Sequence, residues 1–76
     1  MGATERYERY LAAERASGRM YRALADLTDG ERREALLELA AIEDRHAAHW
    51  MALLHTAGVA IPAPADELEP GDADVL

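Results

Sequence analysis

The sequence predicts an all-α fold: an antiparallel two-helix hairpin that dimerises into a four-helix bundle. Three observations carry this. Apolar residues recur at three- and four-residue steps in two long segments, which is helical rather than strand periodicity. One short turn signal, Thr28-Asp29-Gly30-Glu31, separates them. The chain has 76 residues and no cysteine, too little to bury a deep core alone and with no covalent staple.

The first helix is expected over about residues 5–27, roughly six turns. Thr4 can cap its start, and Glu5 in the first turn suits the helix dipole. Tyr7, Leu11, Glu14, Gly18, Tyr21 and Leu24 form its inward stripe, with Gly18 permitting close approach of a neighbouring helix. Thr28 and Glu31 have the spacing of a capping box, so a second helix is expected over residues 30–56. Gly58 is suited to end it in the left-handed conformation. Its inward stripe reads Leu36, Leu39, Glu43, His46, Trp50, Leu53 and Ala57, alternating steps of three and four with two polar members. A turn this short makes the two helices antiparallel neighbours.

Residues 1–58 thus form the helical unit, and residues 59–76 read as a Pro-rich and acidic tail or linker. The net charge of −7 divides accordingly. The helical part holds ten acidic and eight basic side chains, and the tail holds five acidic and no basic ones. All the bases are Arg, interleaved with Glu, which argues for a solvated surface and against nucleic-acid binding. No apolar run is long enough to span a membrane and no signal-peptide pattern opens the chain, so a cytoplasmic location is expected. Absence of cysteine excludes thiolate metal sites, iron–sulfur clusters and a cysteine nucleophile.

The chemistry concentrates at one level. Glu14 lies 15 residues before Asp29, and Glu43-x-x-His46 begins 14 residues after it. With a rise of about 1.5 Å per residue, both stand roughly 21–22 Å from the turn. Two carboxylates and an imidazole in the inward stripes need compensation, and carboxylate with imidazole is an ordinary ligand set for iron, manganese or zinc. Di-iron carboxylate bundles use a Glu from each of two helices and a Glu-x-x-His from each of two others. This chain supplies one of each, so two copies related by a twofold axis supply the full set. Two divalent ions would then neutralise the four carboxylates. His49, His55, Tyr21 and Trp50 read as flanking or packing residues, and Glu34, Glu38 and Asp44 as solvated charges.

The stretches Glu14-Arg-Ala-Ser-Gly-Arg-Met-Tyr21-Arg-Ala-Leu-Ala25 and Leu39-Ala-Ala-Ile-Glu43-Asp-Arg-His46-Ala-Ala-His-Trp50 resemble the rubrerythrin-type branch of the ferritin-like superfamily. Within it the chain is similar to two-helix members: the encapsulated ferritins and the ferritin-like N-terminal domain of bacterial vacuolar-iron-transporter homologues. The resemblance covers about residues 5–58. It implies a ferroxidase centre assembled between two chains, with Glu14, Glu43 and His46 as the metal ligands. On the same resemblance, Glu43 bridges two irons, Glu14 caps each and His46 supplies nitrogen. Ala13 and Ala16 stand where encapsulated ferritins carry iron-attracting carboxylates, and no shell-targeting peptide is evident at the C-terminus.

The expected function is therefore ferroxidase-type: two iron ions per dimer, Fe(II) oxidised to Fe(III) by dioxygen or peroxide and passed on. Manganese and zinc are possible substitutes. The expected partner is a second copy, as a homodimer or a ring of dimers, with an iron-transporter membrane domain or a protein shell as recipient of the iron. The competing expectations are an iron-sensing domain without turnover and a plain helical dimerisation module.

Overall fold

The computed structural model describes residues 2–64, with two α-helices and, among the described residues, no strand. Helix α1 is Ala3–Asp26 and α2 is Gly30–Thr56, and the two pack against each other. Residues 65–76, most of the expected tail, lie outside the described residues.

Both helix starts differ from expectation in how they are capped. α1 begins two residues before Glu5, with Gly2 in extended backbone as its N-cap and Thr4 inside the first turn. The Arg6 amide donates to the Gly2 carbonyl, so the backbone closes this end without Thr4. At the turn, Thr28 does not cap α2. Its hydroxyl donates backwards to the carbonyls of Leu24 and Ala25, at 3.2 and 3.3 Å, and Arg33 Nη1 adds a third bond to the Ala25 carbonyl at 2.9 Å. The last carbonyls of a helix lack i+4 donors; here those of Leu24 and Ala25 take the amides of Leu27 and Thr28 and also the hydroxyl that the capping box would have used. Asp29, in extended backbone, is the residue that precedes α2. Gly58 follows α2 at φ 74°, the left-handed conformation expected of it.

Contacts between the helices extend from one end to the other. Arg33 faces Asp26 beside the turn, Arg22 pairs with Asp44, His46 meets Glu14, and Tyr7 stacks on Trp50 at the far end. α1 turns Leu11, Gly18 and Ala25 fully inward, with Tyr7, Glu14 and Tyr21 half-buried between them. This is the expected stripe, save that Ala25 rather than Leu24 closes it.

On α2 the buried residues are Ala40, Ala47 and Leu54, with Leu36, Glu43 and Trp50 half-buried. The expected stripe shared Leu36, Glu43 and Trp50 but chose Leu39, His46 and Leu53 for the alternate steps. Packing alanine inward lets the backbones approach closely. It also rotates the larger side chains Leu39 and Leu53 to one flank, seven residues either side of His46. The core is correspondingly thin: Leu11, Ala47 and Leu54, with Tyr7, Trp50, Met51 and Val59 packed around them.

The helix pair has two unlike flanks. One carries Tyr10, Tyr21 and Leu24 from α1 and Leu39, Ile42 and Leu53 from α2, with Tyr10, Leu24 and Leu39 exposed. The other carries the Arg22–Asp44 pair and Arg15. Arg15 Nη1 donates to the Pro62 carbonyl at 2.7 Å and Nη2 to Met51 Sδ at 3.4 Å, holding the residues after α2 against α1.

Candidate metal centre

Glu14 stands in the middle of α1, and Glu43 and His46 one turn apart in the middle of α2. Gly18, one turn after Glu14, lets the helices close at this level: a Cβ there would lie 3.8 Å from Glu43 Cβ and 3.7 Å from an Asp44 oxygen. The fold thus brings together all three residues expected from spacing. Each offers one ligand atom, and these atoms lie within 4.8 Å of one another. His46 Nδ1 is 3.4 Å from Glu14 Oε2.

The trio is less enclosed than the inward stripes implied. The Glu14 side chain is 22% exposed and that of His46 55%, and no polar or charged residue is buried among the described residues. The reason is the rotation of α2 described above, which moves His46 onto the apolar flank. In a single chain the site is open to solvent; at helical spacing Tyr10 and Tyr21 share the side of α1 that bears Glu14, and Leu39 and Ile42 the side of α2 that bears His46.

Glu43 carries the electrostatic signature of the site. A hydrogen bond with the Glu14 carboxyl raises its pKa above the ordinary carboxylate value, reinforced by partial desolvation and the Glu14 charge and opposed by His46. Two carboxylates this close favour a proton on Glu43, and a cation can take that proton's place. The donor set, two carboxylate oxygens and one imidazole nitrogen, fits iron, manganese or zinc. Ligand atoms on one tetrahedral ion stand about 3.4 Å apart, so side-chain rotations that draw the 4.8 Å cluster inward would bring it onto one.

Beside the trio lies an aromatic group that spacing did not reveal. Trp50, one turn beyond His46, meets Tyr10 at 4.8 Å between ring centroids, His49 at 4.9 Å edge-on and Tyr7 at 5.8 Å. Tyr10 precedes Glu14 by one turn, so the cluster adjoins the site from both helices. The Trp50 indole nitrogen is buried with no acceptor among the described residues. Asp44, expected as a solvated charge, is exposed and pairs with Arg22. No helix of the described residues is long and apolar enough to cross a membrane. Comparison with known proteins finds no matching family model, characterised protein or solved structure.

Proposed function

We propose that this chain is a ferroxidase-type iron-binding domain whose di-iron carboxylate site forms between two copies. The helix pair is read as an antiparallel hairpin, in keeping with contacts that begin at the turn and reach Tyr7 and Trp50. The observation that carries the proposal is the convergence of Glu14, Glu43 and His46 on a flank that also exposes the apolar side chains of Tyr10, Leu24 and Leu39. A second copy laid on this flank with twofold symmetry covers Tyr10, Leu24 and Leu39 and doubles the ligand set. The result is a four-helix bundle with four carboxylates and two imidazoles at one level.

Fe(II) is the substrate in this reading. Two Fe(II) ions each give up one electron. Dioxygen takes both with two protons and leaves as hydrogen peroxide; alternatively, peroxide takes them and leaves as water. Glu43, whose pKa is raised beside Glu14, is the ligand from which an entering cation displaces a proton when the site is protonated. Glu14 and His46 orient the incoming ion from opposite helices, and the surrounding Leu and Tyr side chains exclude water once the second copy is in place. Cytoplasmic iron handling, with delivery to a transporter or a shell, is the setting this chemistry suits.

Stopped-flow absorbance on mixing with Fe(II) and oxygen tests the proposal. The unaltered chain should oxidise iron in a saturable, catalytic manner, and Glu14→Ala and His46→Ala should not. Variants that bind and oxidise iron as fast as the unaltered chain would refute it. Saturable binding without oxygen consumption would mark a sensor, and unchanged dimer stability after chelation a plain dimerisation module.

A further inference from the structure

The apolar arc of α2 is wide enough to face α1 in two ways. Leu39, His46 and Leu53 would centre one inward stripe, and Ala40, Ala47 and Leu54 centre the one that is buried. At about 100° per residue the two differ by a rotation of roughly 70° about the helix axis. The first packing would bury the larger side chains, so apolar burial alone does not select the second. The choice decides the chemistry, because it leaves His46 55% exposed on the flank of Glu14 instead of between the helices.

An ion pair at the level of the metal site separates the two packings. Arg22 of α1 pairs with Asp44, the residue after Glu43, on the flank opposite His46. The position of a Cβ on Gly18 lies 3.1 Å from Arg22 Nη1, 3.7 Å from Asp44 Oδ1 and 3.8 Å from Glu43 Cβ. The pair thus grips α2 beside a ligand. Turning α2 to the leucine stripe would carry Asp44 to about 130° from the inward direction, away from Arg22.

We propose that Arg22 and Asp44 are positioning residues for the metal site: their pair selects the alanine-inward rotation of α2 and so presents His46 to the second copy. What is positioned rests on the ferroxidase reading; the rotation does not. An exposed ion pair shifts an equilibrium by at most about fivefold. That suffices to choose between packings of similar apolar burial.

Calorimetric titration with Mn(II) tests the pair. Arg22→Glu and Asp44→Arg should each raise the apparent Kd, by about three- to tenfold as attraction becomes repulsion and the competent fraction falls. A through-space effect of charge on the cation would instead have opposite signs in the two variants. The double variant Arg22→Glu/Asp44→Arg should bind like the unaltered chain, and Glu38→Arg, on the outward side of α2, should change nothing.

A second readout needs no metal. Ala40 is 1% exposed and Leu39 40%, and the chain has no cysteine. In dilute protein with EDTA, Ala40→Cys should therefore react slowly with a thiol reagent and Leu39→Cys quickly. Adding Arg22→Glu should speed the reaction at position 40 and slow it at position 39, at unchanged helicity. Faster reaction at both positions would mark general loosening and overturn the inference. Unchanged rates, opposite effects of the two single variants on Mn(II) affinity, or a double variant that restores nothing would also overturn it. An unaltered chain that binds no Mn(II), with thiol rates that exchange as expected, would count against the ferroxidase reading and support the rotational role of the pair.

Discussion

Replacing Glu14 by Gln should strengthen the empty protein at neutral pH and remove its response to metal. The ligand atoms of Glu14 and Glu43 lie within 4.8 Å. Two unit charges at that distance repel by roughly 1 kcal/mol in water and by roughly 3.5 kcal/mol at an effective dielectric of about 20. The site is open to solvent, so screening places the repulsion near the lower figure. The sign follows from the raised pKa of Glu43. The proton shared with Glu14 stabilises the folded state fully below the ordinary carboxylate value, and that stabilisation is lost as pH rises through the raised one. Glu14→Gln should therefore gain about 1 kcal/mol at neutral pH, or about 4–8 °C in Tm for a domain of this size. Below the ordinary carboxylate value the gain should vanish or reverse. The contact between Glu14 and His46 is half-exposed, and its loss costs at most about 1 kcal/mol, partly recovered by the Gln oxygen.

Metal should move the two proteins in opposite order. At one hundred times Kd a bound ion adds about 2.7 kcal/mol, roughly 10–20 °C, to the unaltered chain and close to nothing to the variant. Thermal melts by circular dichroism at one fixed protein concentration, with EDTA or with Mn(II) or Zn(II), measure all of these quantities. A Glu14→Gln variant that melts below the unaltered chain in EDTA at neutral pH, or keeps the metal-induced gain, would refute the reasoning.

Other expectations follow from the same geometry. Leu54→Ala empties a fully buried position in a core with, among the described residues, one other large fully buried side chain, Leu11. At about 2–5 kcal/mol it should remove most of the roughly 3–9 kcal/mol available to some sixty ordered residues, read as lost helicity at room temperature. Gly18→Ala should be tolerated or stabilise by about 0.5–1 kcal/mol, because its Cβ meets at closest the mobile end of Arg22, at 3.1 Å. Gly18→Leu should instead part Glu43 from Glu14 and abolish metal stabilisation in the same melts. Gly58→Ala forces a side chain to φ 74° and should lower stability by about 1 kcal/mol in urea titrations. At a pH near or below the raised carboxyl value of Glu43, metal binding should release protons, so the calorimetric heat there should depend on the ionisation enthalpy of the buffer.

The two helices, their lengths and the meeting of Glu14 with Glu43 and His46 were all legible in the chain. A short turn and a constant rise per residue fix which levels face each other, and neither depends on side-chain detail. The inward direction of α2 was not legible. Leu36, Leu37, Leu39, Ala40, Ala41 and Ile42 give that helix an apolar arc wider than one partner covers. Choosing the larger residue at each step selected Leu39 and Leu53, whereas close backbone approach buries Ala40 and Ala47. The turn shows a similar competition. Thr28 has the spacing to cap α2, but the carbonyls of Leu24 and Ala25 at the end of α1 lie within reach of the same hydroxyl. Which helix end receives it depends on the turn's backbone path. The aromatic cluster at Trp50 depends on that same rotation of α2, and one-dimensional spacing cannot supply it.

The bond from Arg15 to the Pro62 carbonyl has a practical meaning for anyone who engineers this molecule. It holds the backbone at Pro62 on the Arg15–Met51 flank, the flank opposite the one that carries the Glu14–His46 contact by helical spacing. A fluorophore, affinity handle or foreign domain joined beyond Pro62 therefore begins its path on the far side from the ligands. It can be exchanged as a spectator. A reporter appended at Tyr10 or Leu39 would instead sit at the ligands' own rim, and its signal would report on them.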